Sequence, residues 1–151
     1  MQSFTIRPIV PGDIQDLVIM IHELAAFHDD AGGASIESVT RDTIGPSPWW
    51  QTYVAEDDTK LVGYMVLLPL SKIADGWRGI DLNHMYVRET HRGKGIDRAL
   101  VEAAKTYAKS NACTYMFIAT APDNTAAQAA YLACRFEARP ASGGPRFRMQ
   151  L

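Results

Sequence analysis

Four consecutive residues, Arg92-Gly93-Lys94-Gly95, carry the densest chemistry in the 151-residue chain. They follow Leu82-Asn83-His84-Met85-Tyr86-Val87, whose alternation and β-branched and aromatic residues predict a strand that stops at the polar Arg88-Glu89-Thr90. From Ile96 the apolar positions Leu100, Ala103, Ala104 and Tyr107 recur at helical spacing. The glycine turn therefore falls where a helix leaves its first N–H groups unpaired and carries about half a positive charge. Two glycines let backbone close on a bound group, so the turn is an anion cradle. A Walker loop is excluded, because Gly95 is followed by Ile96 rather than Ser or Thr and no earlier glycine has the right spacing. A dinucleotide fingerprint is excluded too, since it needs three glycines at the first strand-to-helix turn. Asp97 complicates the cradle. A carboxylate in the first turn suits the helix dipole by about 0.3–1 kcal/mol, yet beside a bound anion it adds repulsion of comparable or greater size.

The elements that must hold this turn read as one α+β unit over residues 1–151. Phe4 to Ile9 alternates as a first strand and ends at Pro8 and Pro11-Gly12. Asp13 is expected to cap a helix whose stripe is Ile14, Leu17, Val18, Ile21, Leu24 and Ala25. A shorter helix over Ile36–Thr43 follows, opened by Ser35 with Ser38 and closed before Gly45-Pro46-Ser47-Pro48. Trp49 to Ala55 enters a strand, Asp57-Asp58-Thr59-Lys60 is turn chemistry, and Leu61 to Leu68 returns as the other half of a hairpin ended by Pro69. After the long helix, Thr114 to Thr120 reads as a buried strand, Asn124 caps another helix, and strands are expected around Phe136 and over Arg146–Leu151. The order is β-α-α-β-β-β-α-β-α-β-β, with no internal repeat or linker.

Composition narrows the function classes. A hydrophobic share of 47%, a charged share of 21% and a net charge of −2 describe an ordinary globular chain with no basic surface for nucleic acid. No run approaches eighteen apolar residues and Met1-Gln2-Ser3-Phe4 lacks a signal-peptide start, so a cytoplasmic protein with no membrane partner is expected. Cys113 and Cys134 show no metal-ligand spacing and read as reduced packing residues.

The turn resembles the acetyl-CoA signature of the GNAT N-acetyltransferase superfamily: Arg or Gln, two residues, Gly, one residue, then Gly or Ala. Arg92 and Gly95 match it, and Asp97 departs from it where the family has a small residue beside the CoA pyrophosphate. The superfamily's later motif is also similar, with Asn124, Ala127, Tyr131 and Phe136 in place and Arg135 standing for a glycine. The element order matches across essentially the whole chain. A weaker likeness to the spermidine/spermine-type branch lies in Ile21-His22-Glu23-Leu24-Ala25, Pro48-Trp49-Trp50, Val54-Ala55-Glu56 and Arg146-Phe147.

What the resemblance implies is a GNAT fold, with a mixed sheet of about six to seven strands flanked by four helices. It also implies transfer of acetyl from acetyl-CoA, bound as co-substrate without a metal, to a primary amine of a small molecule by direct attack in a ternary complex. The cofactor would lie on Met85, Tyr86, Val87, Arg92, Gly93, Lys94, Gly95, Ile96, Asp97, Asn124 and Ala127, with the strands ending near Val87 and Thr120 splayed to admit the pantetheine arm. Tyr131 would give a proton to the departing thiolate, although a tyrosine that packs on the helix face satisfies the same spacing. The base is open. His84, with a reference pKa near 6.5, is the candidate on the strand, and Glu23, His28 or Asp81 acting through water are alternatives. Glu23, His28 and Trp50 would meet the acceptor, His28, Asp29, Asp30 and Glu37 making that region acidic. Family members are often dimers, so a homodimer is expected. The other reading is a GNAT-fold ligand-binding or interaction protein whose acetyl-CoA binding Asp97 impairs.

Overall fold

The chain divides into two compact units, Met1–Ala119 and Thr120–Leu151, and the computed structural model describes residues 3–139 and 143–151. In the first unit β1 (Phe4–Pro8), α1 (Ile14–Phe27), α2 (Ile36–Thr43), β2 (Gln51–Asp57), β3 (Lys60–Lys72), β4 (Trp77–Val87), α3 (Ile96–Ser110) and β5 (Tyr115–Ile118) follow in order. The second unit holds α4 (Thr125–Ala133). The strands form one sheet in the order β1-β2-β3-β4-β5, antiparallel as far as β4 and parallel between β4 and β5. α3 is the crossover that a parallel pair requires.

Both faces of the sheet are covered. Ile14, Leu17 and Met20 of α1 and Val39 of α2 pack on Val54, Leu61, Tyr64 and Val66. The alternate positions Ala55, Met65, Leu67, Ile80 and Leu82 are also buried, and α3 runs across β1 to β4 over them. Alternation along a strand thus becomes two apolar layers, each fully buried side chain contributing roughly 1.5–3 kcal/mol. Two short turns behave as their residues demand. Asp58 and Thr59 both take positive φ, 46° and 69°, the conformation a two-residue hairpin loop needs. Ser35 accepts from the Ser38 N–H while Ser38 Oγ accepts from the Ser35 N–H, each at 3.0 Å, a reciprocal cap for α2.

Four sequence expectations change. The Asp13 side chain does not cap α1; its carboxylate takes a two-pronged contact from Arg7 (2.7 and 3.0 Å) and the Val10 N–H at 2.9 Å. Pro69 does not end β3, which runs on to Lys72 paired with β4. β2 stops opposite Leu67, so beyond it β3 has an open edge where a missing N–H is tolerated. β5 is only half covered, with Tyr115 51% and Phe117 37% exposed. Finally, the sheet has five strands. The expected strands around Phe136 and over Arg146–Leu151 are absent among the described residues; Phe147, Met149 and Leu151 alternate as a strand would but lie exposed with no ladder to join.

Candidate functional site

The sheet opens where β4 ends. Pairing with β5 covers only Gly79–Leu82 against Tyr115–Ile118, whereas β4 stays paired with β3 as far as Val87. A bulge marks the divergence: Leu67 faces Leu82 and Val66 faces His84, which leaves Asn83 unmatched and twists the strand locally. The Arg88 N–H donates to the Val62 carbonyl at 2.8 Å. Since backbone groups alternate between the two sides of a strand, the N–H groups of Met85 and Val87 point to the opposite, unpaired edge. The Val87 carbonyl on that edge accepts from Arg92 Nε at 3.0 Å.

A 3-10 turn at Glu89–His91 leads into the glycine loop. Gly93 and Gly95 have φ of 76° and 83°, and a Cβ on either would meet nothing within 4 Å. Backbone conformation, rather than crowding, therefore demands glycine at both. The first helical bond of α3 runs from the Ala99 N–H to the Gly95 carbonyl at 3.0 Å, and the N–H groups of Gly95, Ile96, Asp97 and Arg98 have no acceptor among the described residues. Four free donors at a helix start form the expected cradle. Asp97 is half-buried beside it with no ion-pair partner among the described residues. Lys94 is exposed. The Arg92 guanidinium lies over the Phe27 ring at 5.7 Å, so its side chain bridges β4 and α1 instead of adding charge inside the loop. His91 ties the loop's entry to the β2–β3 turn, Nε2 lying 3.2 Å from Asp57 Oδ2 and Nδ1 2.8 Å from Thr90 Oγ1.

On the α1 side, His84 stands opposite Val66, a member of the α1-facing core, so the imidazole shares that face. Its rim is exposed, but surrounding protein depresses its pKa below the usual imidazole value. Burial is the main cause and His28 adds to it, while Asp30 acts the other way. The ring is neutral at pH 7. Glu23 accepts from the Tyr86 hydroxyl at 2.8 Å and faces Arg88, with Nε at 3.2 Å and Nη2 at 3.1 Å. Burial, with help from the Glu23 hydrogen bond, pushes the Tyr86 phenol up to about 12. His22 Nε2 lies 2.8 Å from the Ala34 carbonyl. Trp50 packs on the core and Trp49 is 76% exposed.

In the second unit Asn124 caps α4, its Oδ1 accepting from the Ala127 N–H at 3.1 Å. The Tyr131 and Phe136 rings meet edge to face at 6.2 Å. Arg135 takes the left-handed conformation that closes the helix, φ 71°, and the Phe136 N–H returns to the Tyr131 carbonyl at 3.1 Å. Arginine there costs about 1 kcal/mol or more relative to glycine. Among the described residues no cluster of His, Cys, Asp or Glu could hold a metal, and no helix is long and apolar enough to cross a membrane.

The expected site residues of the first unit thus fall into three groups. Met85, Tyr86, Val87 and the residues from Arg92 to Asp97 gather at the β4 end, Glu23, His28 and His84 line the α1 side, and Trp50 stands in the core packing. Sequence reasoning passed over Arg88, Phe27 and the His91–Asp57 pair. Arg88 and Glu23 are 65 residues apart, and neither a strand-end arginine nor a helix glutamate carries a local signal for the other. Phe27 had one, as an aromatic at the end of the α1 stripe.

Residues 21–136 match the Acetyltransferase (GNAT) family, and the chain belongs to that family of acyltransferase enzymes. It is similar to thialysine N-epsilon-acetyltransferase of Sus scrofa, with 28% identity over 129 residues, 79% of this chain and 75% of that protein. Over 85 residues it is 31% identical to N-acetyltransferase 8B of Rattus norvegicus, covering 56% of this chain and 38% of that relative. The chain thus spans well under half the length of that second relative. Among solved structures, an aminoglycoside N-acetyltransferase in complex with CoA superposes with a TM-score of 0.79 at 18% identity, covering 97% and 95% of the two chains. An aminoglycoside acetyltransferase from an uncultured soil metagenomic sample gives 0.80 at 13%, covering 98% and 97%. These likenesses establish the GNAT fold.

Proposed function

We propose that the chain transfers an acetyl group from acetyl-CoA to a primary amine of a small molecule by direct attack in a ternary complex. The observation that carries this reading is the pairing of an open β4 edge with a glycine loop whose helix N–H groups are free. The pyrophosphate would rest on the backbone of residues 92 to 97, and the pantetheine arm would run along the edge at Met85, Tyr86 and Val87. One of the two edge N–H groups would then meet the oxyanion that develops on the thioester carbonyl.

In the transfer the amine nitrogen forms a bond to the carbonyl carbon and the carbon–sulfur bond breaks. The amine must first lose a proton, and neutral His84 is the group proposed to receive it, directly or through water. Tyr131 is proposed to protonate the departing thiolate, the second proton that the nitrogen sheds as the amide forms restoring the phenol through solvent, with Asn124 and Ala127 opening the helix that bears it. Asp29 and Asp30 are exposed at the end of α1 and would draw a cationic amine toward His28. Amine-acetylating relatives, named for thialysine and for aminoglycosides, are consistent with such an acceptor. We further propose a cytoplasmic homodimer with no nucleic-acid or membrane partner.

Asp97 favours a second reading, a GNAT-fold ligand-binding or interaction protein, because its half-buried carboxylate lies beside the free donors. One experiment separates the two: calorimetry with acetyl-CoA, followed by an acetylation screen over a panel of diamines, amino acids and aminoglycosides. Low-micromolar binding and turnover of a panel amine support the enzyme. Binding that appears only in Asp97→Gly supports the second reading.

A further inference from the structure

One arginine holds the last residues of β4. Arg88 forks onto both carboxylate oxygens of Glu23, Nε to Oε2 at 3.2 Å and Nη2 to Oε1 at 3.1 Å, while Nη1 donates to the Leu61 carbonyl at 2.8 Å. Its own N–H donates to the Val62 carbonyl at 2.8 Å, and the Glu23 it grips also accepts from the Tyr86 hydroxyl at 2.8 Å. α1, the start of β3 and the end of β4 therefore meet at a single guanidinium. All these partners lie on the α1 and β3 sides, away from the open edge. A planar fork fixes orientation as well as distance, which a lysine ammonium does not.

The consequence lies one residue away. The same strand segment that Arg88 and Tyr86 anchor carries the Met85 and Val87 N–H groups on its free edge, where no neighbouring strand steadies them. We propose that Arg88, acting through Glu23, is a positioning residue that keeps those two N–H groups aimed along the direction acetyl transfer needs. It touches no reacting atom. The role rests on the acetyl-transfer reading above, and it assigns Glu23 to the strand end rather than to the acceptor amine.

The test uses the full chain and acetyl-CoA, with wild type, Arg88→Met, Arg88→Lys, Glu23→Gln and the swapped double variant Glu23→Arg/Arg88→Glu. Amide hydrogen exchange is read at Tyr86 and Arg88, whose N–H groups pair with β3 in alternation with the free-edge ones, and at core positions such as Val54 and Val66. In Arg88→Met the strand-end amides are expected to exchange about tenfold faster or more while the core amides hold. With any amine the wild type acetylates, kcat is expected to fall about 10- to 100-fold, the cost of a misplaced reacting group, with the acetyl-CoA KM nearly unchanged. Arg88→Lys should restore little and the swapped variant part of the loss. Exchange that rises evenly across the protein, or that stays unchanged at Tyr86 and Arg88, overturns the proposal, and so does a kcat that survives in Arg88→Met. A wild type that acetylates no amine in the panel defeats the acetyl-transfer reading instead. In that case the exchange comparison still decides whether Arg88 fixes the strand end.

Discussion

Asp97→Asn isolates the charge that sets this chain apart from the family pattern. The change keeps side-chain shape at the second position of α3 and removes one negative charge beside four unpaired N–H groups. Removing a first-turn carboxylate costs the helix about 0.3–1 kcal/mol, so a small fall in melting temperature is expected. Were a doubly charged pyrophosphate held about 7 Å from it, the carboxylate would be repelled by about 1 kcal/mol at the dielectric of water and about 5 kcal/mol at an effective value near 20. Asp97 is half-buried with no cation paired to it among the described residues, which puts the relief between those limits. The substitution is therefore expected to tighten acetyl-CoA binding about tenfold or more, each 1.4 kcal/mol being one decade. Calorimetry at about 20 mM and about 200 mM salt reads it, and the gain should shrink at the higher salt as the charges are screened. An affinity that does not move at either salt would refute the reasoning, because no charge of the bound ligand could then lie close to the Asp97 carboxylate.

Three further outcomes follow from other parts of the first unit. His84 titrates below the usual imidazole range because of burial and His28, so as the base it stays neutral and active until the pH falls through that depressed value. The acid limb of kcat/KM should lie below about 6.5 and disappear in His84→Gln. Asp13 is held below the ordinary carboxylate range: burial alone would raise it, but the Arg7 and Val10 hydrogen bonds outweigh that. Its contribution is present above the unfolded value near 3.9 and is lost as the pH falls through the lower folded value. Asp13→Asn should therefore cost about 1–3 kcal/mol in urea melts at pH 7 and flatten the acid fall in stability. A Cβ on Gly63 would sit 2.8 Å from the Tyr86 carbonyl oxygen, a backbone atom. Gly63→Ala should destabilise the fold by about 1–3 kcal/mol and lower kcat, as read by thermal melts and initial rates.

Much of the fold was legible because each element announces itself locally. The α3 stripe, the Ser35–Ser38 box, the Asn124 cap and the Asp58-Thr59 turn depend on neighbours within a few residues, and all four stand where their residue types put them. The failures are non-local. Pro69 reads as a breaker unless one knows that β2 has already ended opposite Leu67. Asp13 reads as a cap unless one knows that Arg7 and Glu56 converge there, with Arg7 Nε 2.6 Å from Glu56. The glycine cradle, likewise, is a matter of consecutive residues and was readable. The Glu23–Arg88–Tyr86 contact joins two distant segments, and only pairing in three dimensions reveals it.

The acidic residues of this region bear on the proposed chemistry in two opposed ways. A carboxylate close to an amine favours its protonated form, which cannot attack a thioester, so acidic residues help capture and hinder reaction. Asp29 and Asp30 are exposed on the turn that leaves α1, where they can attract a cation, and Asp30 lies near enough to act on the His84 ring. Among the described residues, the α1 carboxylate bonded to the end of β4 is Glu23, and both its oxygens are occupied, Oε1 by Arg88 and Oε2 by Arg88 and Tyr86. His84, on the same face of the sheet, is uncharged at pH 7. An amine drawn to this end of α1 would thus meet the carboxylates and a neutral imidazole together, and the proposed direct attack requires His84 to take the proton that those carboxylates favour.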